Sequence, residues 1–491
     1  MQPDTSPGSP SRHGDSGTPG AAAGRTSDRA AKVRFRRALA LMLMTLVLPG
    51  SAQLVAGRRE VGRLALRVTA VVVGAVLVGA LLFWLWPGLA LRFGTSPFWL
   101  NLLRFGLMLL AVGWAALFVD AWRIGQPLSL VRRQRLTMVG VNGFLVFGVA
   151  GVLLFSAHLV TVHRDFMLTF SDGPAQDASH GRYNVLLLGG DSGVDRWGLR
   201  TDSMTVASID ADTGRTVLVG LPRNLQNFEF AKDSVMAEQF PDGFNCPDCY
   251  LNGVSTWAQD NAELFGKSKN PGVDATVEAI EGITGLDIHY WAMVDLQGFE
   301  DLVDAVGGVE LNVRDRIPVG GLGSDVTGYI EPGQRKLNGH DALWFARARE
   351  GSDDYSRMAR QKCVMSAMAA QISPATLVQH YKDITRATSG LIETNLPRSQ
   401  FATFVELAMK AKDQKMSTVS LVPPAINTAD PDLAKIRAMV QKGIDKAEGK
   451  STGGAKGAKQ AEKPAVTSGG SLGTRDQGYA ANQADDLTAA C

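Results

Sequence analysis

Three apolar stretches early in the chain constrain it most: roughly 64–86, 100–122 and 136–162. A helix needs ~20 apolar residues to cross the hydrocarbon core of a bilayer, and each stretch meets that length. Trp84, Trp86 and Trp99 fall together at one end of the first two, as an interfacial aromatic belt would. The arginines set the orientation. Arg58, Arg59 and Arg63 precede the first stretch and Arg123, Arg132, Arg133 and Arg135 separate the second from the third, whereas only Arg92 lies between the first two. Positive charge stays cytoplasmic, so the N-terminus is expected inside and everything after Val162 outside.

Residues 1–37 are rich in Gly, Ser, Ala, Pro and charge, ending in the basic cluster Lys32, Arg34, Arg36 and Arg37. They are expected to form a disordered cytoplasmic tail. The apolar run Ala38–Leu48, broken by Pro49-Gly50, is too short to span and is expected to be re-entrant or interfacial within 38–56. It is not a signal peptide, because further spans follow and no small-residue cleavage site precedes them. After Gly449 the composition is again core-free, which predicts a disordered tail over 449–491.

The chain has 491 residues, which suggests two or three units, and its net charge of +2 hides a segregated distribution. No basic block is interleaved with aromatics, so nucleic acid is excluded as a partner. The four cysteines are Cys246, Cys249, Cys363 and Cys491. Without a second CxxC or clustered histidines, the CPDC at 246–249 does not make a zinc site. An outer location admits disulfides, so Cys246 and Cys249 are expected oxidised, to each other or with Cys363 as one partner, as a loop staple. No lipidation signal accounts for the terminal Cys491.

The outer region, 180–445, reads as one α/β domain with a central mixed sheet flanked by helices. Val185–Leu188, Met204–Ile209 and Thr216–Leu221 are apolar, β-rich runs bounded by glycine or charge, as strands are. Asp191 follows the first, Arg200 and Asp202 precede the second, and Arg223 follows the third. Aspartates and arginines meeting at strand ends suggest a crevice for a metal and a phosphorylated ligand, although strand-end loops are commonly charged without function. Leu251–Leu264 and Asp274–Thr284 read as helices, His289–Val294 as a strand, Leu296–Val306 as an amphipathic helix closed by Gly307-Gly308, and Val309–Val313 as a strand. That βαβ rhythm predicts a partly parallel sheet. Residues 320–333 read as a glycine-rich loop, Met416–Val422 as a late strand and Asp432–Ile444 as a closing helix.

A second charged cluster lies at 342–363. Arg347 and Arg349 alternate with alanine and would point to one side if extended. Asp353 and Asp354 precede a helix bearing Arg357, Arg360 and Gln361, whose spacings of three and four share a face. Asp354 is also a natural helix N-cap. Four arginines in fourteen residues suit a pyrophosphate, whose oxygens match the planar guanidinium fork.

The stretches NVLLLGGD at 184–191, RTDSM at 200–204, VGLPRN at 219–224, VDLQGFEDLVDAVGGVEL at 294–311, LNGHDALWFARAR at 337–349 and DYSRMARQ at 354–361 resemble, in that order, the LytR-CpsA-Psr family of cell-wall glycopolymer ligases. The multi-span N-terminal region with PGSAQLVAGRREVGR at 49–63 is similar to actinobacterial members. The resemblance implies an α/β/α domain that moves a glycopolymer, arabinogalactan or another secondary wall polymer, from polyprenyl pyrophosphate to a peptidoglycan hydroxyl as a phosphodiester. Carried over by motif, Asp191 and Asp202 would hold Mg²⁺, or Mn²⁺ in its place. Arg200, Arg223, Arg347 and Arg349 would bind the pyrophosphate, and Asp354 and Arg357 would complete the site, with Arg360 and Gln361 as further contacts. Asn224 departs from the family, which commonly has aspartate after PR. Asp354 is the candidate general base, and the isoprenoid tail calls for an apolar groove, which sequence cannot tell from core. Two other readings remain open: a polyprenyl-pyrophosphate hydrolase, and a non-catalytic module binding an anionic wall polymer.

Overall fold

A computed structural model describes residues 20–191, 200–321, 325–349, 352–371, 380, 383–385, 392–412 and 414–450. The chain divides into two compact units, residues 1–90 with 101–160 and residues 91–100 with 161–491.

In the N-terminal part, α1 (Gly20–Val47) and the short α2 (Ser51–Val55) precede α3 (Arg59–Leu85), α4 (Pro87–Thr95), α5 (Pro97–Ile124) and α6 (Arg132–Thr169). Three helices are long and apolar enough to cross a membrane, Arg59–Leu85, Pro97–Ser129 and Arg132–Thr169. Helix α1 departs from expectation: its backbone is already helical from Gly20, inside the expected tail, and the short apolar run forms its C-terminal half. Alanine-rich sequence without internal proline permits this. Residues 1–19 and 451–491, the remainder of the expected tails, lie outside the described residues. Gly50 turns the chain after α1 at φ +93°, and a Cβ there would meet the carbonyl oxygen of Gly62 at 2.7 Å. Only glycine fits that close approach in that conformation.

The second unit is built on a six-stranded mixed sheet. Its strands are β1 (Arg182–Asp191), β2 (Arg200–Asp210), β3 (Thr216–Leu221), β4 (Tyr290–Asp295), β9 (Ile392–Thr394) and β10 (Ser417–Ser420), in the order β10-β3-β2-β1-β4-β9. β1 runs parallel to β4 and antiparallel to β2, with Asp191 opposite Arg200 in register. The side-chain period of two divides this sheet into two faces. Leu186, Leu188, Met204, Val206, Val217 and Val219 point into one core, covered by α8 (Val254–Asp260), α9 (Pro271–Thr284) and α14 (Leu433–Ala447). Proline at the first helical position and Gly285 at φ +70° delimit α9. Ile280 is fully buried in that core, and truncating it to alanine would cost about 2–5 kcal/mol.

The other face carries α10 (Leu296–Ala305), α11 (Gly339–Arg347), α12 (Asp354–Gln371) and α13 (Phe401–Lys412). The GG turn after α10 does not return β5 (Val309–Val313) to the main sheet, as the βαβ rhythm suggested. Instead β5 pairs with β8 (Gly333–Leu337), and Val309, Leu311 and Val313 join Ala342, Phe345 and Val364 in a second core. The glycine-rich 320–333 segment is not merely a loop: β6 (Ile317–Gly320) and β7 (Val326–Ile330) form a hairpin there. The helix expected over 251–264 is α8 flanked by two single 3₁₀ turns, and a short α7 (Val235–Gln239) precedes it. Cys246 and Cys249 are bonded to each other, while Cys363 lies in the second core on α12.

Candidate active site

The strand ends and the α11–α12 junction meet at one place. Asp202 opens β2, and its Oδ1 accepts from Nη1 of Arg223 at 2.7 Å, just beyond β3. Across from them, Asp354 at the start of α12 lies 3.4 Å from Nε of Arg223, 3.6 Å from Nη1 of Arg349 and 3.2 Å from Nη2 of Arg357. Arg357 also donates to the Asp202 carbonyl at 2.8 Å, and Ser203 donates its hydroxyl to Oε1 of Gln361 at 3.0 Å. The cap of α12 falls to Asp353, which accepts the backbone N–H of Ser356 at 2.8 Å, so the carboxylate of Asp354 turns to the arginines.

Electrostatics reinforce the cluster. Burial pushes the Asp202 carboxyl up, but the hydrogen bond and charge of Arg223, with Arg357 and Asn252, outweigh it and hold the group below its ordinary range. Burial opposes the charge of Arg223, and Asp202 and Asp354 more than offset it, so that its pKa rises. For Arg357 burial wins against Asp354 and its pKa falls. The Nε atoms of Arg349 and Arg357 and the Oδ1 of Asp354 are shielded from solvent and carry no hydrogen bond among the described residues. Buried donors of this kind are costly unless something accepts from them.

Some expected residues are placed elsewhere. Arg347 is not extended: it ends α11, whose Asn338 cap accepts the N–H of Asp341 at 2.8 Å, and only the segment after it is extended. It still reaches the same cavity as Arg349. Arg360 is turned away. It is wholly buried, donates to the carbonyl of Ala348, and has its pKa drawn down to about 10 by burial. On a helix at 100° per residue, Arg357 and Gln361 fall 40° apart, whereas Arg360 lies 100° from Gln361 on the opposite flank. Its carbonyl partner sits between Arg347 and Arg349, so Arg360 holds that segment from behind. Asp191 and Arg200 close β1 and β2 as register partners; their side chains lie outside what is described.

Asn252, Ser203 and Asp295 belong to the site and escaped the sequence reading. Asn252 hydrogen-bonds Asp202 and donates its backbone N–H to the Arg223 carbonyl at 3.1 Å. Asp295 ends β4 and faces the same cavity, although its Oδ1 also caps α10 at 2.6 Å from the N–H of Gly298. The strand-end charge rule that picked out Asp191 applies to it equally. Nothing in the sequence marks Asn252.

Behind the arginines opens a cavity of about 1140 Å³, above the roughly 300–1,000 Å³ usual for small-ligand pockets. Asp202, Arg223, Arg347, Arg349, Arg357 and Gln361 line one part of it. Most of the rest is apolar: Leu187, Ala207 and Leu218 from the second sheet face, and Phe299, Met365 and Met409 from the helices above. A divalent cation such as Mg²⁺ takes hard oxygen ligands, one or two carboxylates completed by phosphate oxygens and water. The donors described at the charged part fit that: the Asp202 and Asp295 carboxylates, the Ser203 hydroxyl and the Gln361 amide oxygen, without a soft ligand. Among the described residues no group of three or more His, Cys, Asp and Glu that could hold a metal is present, so the described carboxylates by themselves do not supply a full coordination shell.

Residues 161–430, more than half of the chain, match the LytR_cpsA_psr family. The chain belongs to that family. Among its LytR_cpsA_psr relatives is polyisoprenyl-teichoic acid–peptidoglycan teichoic acid transferase TagV of Bacillus subtilis, 28% identical over 267 residues, which cover 52% of this chain and 62% of TagV. TagU of Bacillus mycoides, a protein of the same description, is 26% identical over 54% of this chain and 79% of its own length. Biofilm regulatory protein A of Streptococcus mutans is 26% identical over 47% of this chain, which spans 55% of that protein. Of solved structures, that of B. subtilis TagV is similar at 22% identity and a TM-score of 0.41, covering 55% of this chain and 98% of that one.

Proposed function

We propose that the protein is a membrane-anchored phosphotransferase. It moves a glycopolymer from polyprenyl pyrophosphate to a peptidoglycan hydroxyl, forming a phosphodiester. The observation that carries this reading is the adjacency of three arginines, two of them with unsatisfied buried Nε donors, to a large apolar cavity. A ligand complementary to both parts has an anionic head and a long hydrocarbon tail, which is the shape of a polyprenyl pyrophosphate. That TagU and TagV are described as acting on polyisoprenyl-linked teichoic acid and peptidoglycan supports the same substrate class. For this chain the polymer is a secondary wall polymer, with arabinogalactan the reading its actinobacterial resemblance favours.

The chain's own residues divide the work. Arg223, Arg349 and Arg357, oriented by Asp354, hold the pyrophosphate, and Arg347 extends the cationic rim. The acceptor hydroxyl attacks the phosphorus joined to the glycan, and the bond to the bridging oxygen breaks, so that polyprenyl phosphate departs with the electron pair. Arginine charge stabilises the negative charge that grows on the transferring and leaving groups. The hydroxyl proton goes to Asp354, whose Oδ1 is shielded from bulk water and, although ion-paired to Arg223 and Arg349, carries no hydrogen bond among the described residues. Mg²⁺, held by Asp191 and Asp202, would neutralise phosphate charge when bound. Arg200, the register partner of Asp191, is assigned to the same phosphates.

The positive-inside asymmetry supports an outward-facing domain behind three crossings, where lipid-linked donor and wall acceptor both lie. The test uses the full chain in detergent with a short polyprenyl-pyrophosphate glycan, Mg²⁺ and a soluble peptidoglycan fragment, followed by mass. A glycan–phosphate–peptidoglycan adduct that vanishes in Asp202→Ala and Arg349→Ala establishes the transferase. Glycan phosphate released without adduct would make it a hydrolase. Donor bound unchanged, equally well by wild type and both variants, would refute the site assignment.

A further inference from the structure

Helix α13 has two different faces. Phe404 and Leu407 anchor one of them, with the Phe404 ring 5.3 Å from Tyr183 and 5.5 Å from Tyr290. Val405, Ala408, Met409 and Lys412, spaced as one stripe, line the apolar cavity and are at the same time exposed, Met409 at 52%. A residue that both lines a cavity and meets solvent marks an opening, so the cavity is open along this helix, at residues distinct from the arginines.

The start of α13 is fastened to the end of α6. The Phe401 ring lies 5.7 Å from Phe166 and 5.0 Å from Phe170. Arg398 donates its Nε to the Met167 carbonyl at 2.6 Å and pairs with Asp172, and Ser171 exchanges backbone bonds with Leu396 and Arg398 at 3.0 and 3.1 Å. The apolar stretch of α6 ends at Val162, four residues before Phe166. Four residues of helix rise about 6 Å, comparable to the thickness of about 5–8 Å of one headgroup layer. The start of α13 is therefore fastened to the chain within four residues of the expected membrane exit. The charge on and after its exposed side favours an anionic surface by a small margin: Glu406 is ion-paired to Lys410 at 2.8 Å, and Lys412 and Lys415 outnumber Asp413, which leaves a net charge of +1 over 401–415.

We propose that the exposed Val405–Met409 stripe of α13 rests on an anionic phospholipid leaflet and forms the rim over which a polyprenyl chain passes from the bilayer into the cavity. The rim's use by a polyprenyl chain rests on the function proposed above; its contact with the leaflet does not. Apolar side chains reaching into the headgroup boundary with lysines beside them are the recognised form of an interfacial helix, and basic residues near an anionic surface are drawn to it.

The test uses the full chain in nanodiscs of phosphatidylglycerol and phosphatidylcholine, with p-benzoylphenylalanine placed at Met409 or, as a control, at Leu264, which is similarly exposed outside α13. After irradiation, phospholipid adducts are counted by mass. Several-fold more adduct at 409 than at 264, falling several-fold when Lys410→Glu and Lys415→Glu are introduced together, is the expected result. Equal yields at the two positions, or a yield at 409 indifferent to the charge reversals, would overturn the proposal. Cross-linking to bulk lipid needs no catalytic turnover, so a failed transferase assay leaves this outcome readable.

Discussion

Asp353 accepts the N–H of Ser356 at 2.8 Å, and this cap leaves its neighbour Asp354 free to face Arg223, Arg349 and Arg357. Two adjacent carboxylates thus have separable roles. Asp353→Ala should cost about 1 kcal/mol of stability, the usual worth of an N-cap, and leave transfer near wild type. Asp354→Ala should leave three guanidinia unoriented and lower transfer by about 10²-fold or more. Melting temperature and turnover measured on both variants check the split; a pair of variants that lose activity equally would refute it.

The oxygen-only donor set around Asp202 predicts a dependence on hard cations. Stripping the protein with a chelator should abolish transfer, and Mg²⁺ should restore it, with Mn²⁺ as a substitute. Asp202→Asn should need a much higher Mg²⁺ concentration for half-maximal activity, and its pairing to Arg223 at 2.7 Å should weaken as well. A titration of rate against free Mg²⁺ checks this. Full activity in chelator would remove the metal from the mechanism.

The strands and the charged ends of β1, β2 and β3 were legible because they rest on local chemistry, alternation and glycine boundaries, whereas the cap of α12 was not, because Asp353 and Asp354 offer the same side chain one residue apart. The direction of Arg360 was not, since spacings of three and four from Arg357 both look like one face until the 100° between Arg360 and Gln361 is counted. β5 looked like a sheet strand because βαβ rhythm does not say which strand is the partner. The cavity was invisible for a deeper reason. Leu187, Ala207 and Leu218 are the same residue types that fill a core, and only the absence of a packed side chain above them makes a binding surface.

That surface predicts a selectivity between donors. Ala207 faces the cavity from the middle of β2. Ala207→Phe should fill space used by the tail while leaving the arginines untouched. The expected outcome is a raised KM for a long-chain polyprenyl donor with little change for a short-chain one, read from initial rates on the two. Equal effects on both would place the tail elsewhere.

Lys362 introduces a pH dependence unrelated to the reaction. Its side chain is fully buried, approached by Gly220 and bonded to the hydroxyl of Ser420, and burial draws its pKa down from 10.5 to about 7. Between those values the unfolded chain holds a proton that the folded chain has released, so stability should rise with pH from about 7 toward 10.5. The slope from this group is at most about 1.4 kcal/mol per pH unit. Thermal unfolding of the detergent-solubilised chain at pH 7 and 9 should show the rise in wild type and a flattened one in Lys362→Met. A wild-type rise that persists in the variant would assign it to other groups.

The Cys246–Cys249 disulfide lies three residues before Asn252, whose side chain meets Asp202 and whose N–H meets the Arg223 carbonyl. Leu251 adds a backbone bond to Leu225 at 2.9 Å, so the stapled loop is laid directly along the segment that carries Arg223. A loop this short gains about 2 kcal/mol from closure. Cys246→Ser with Cys249→Ser should therefore lower the melting temperature yet keep transfer within a few-fold at low temperature. Asn252→Ala should lower both, with stability reduced by about 1.5–3 kcal/mol for the lost hydrogen bond to a charged group and transfer slowed roughly tenfold even at low temperature. A double serine variant that is stable but inactive would instead make the thiols part of the chemistry.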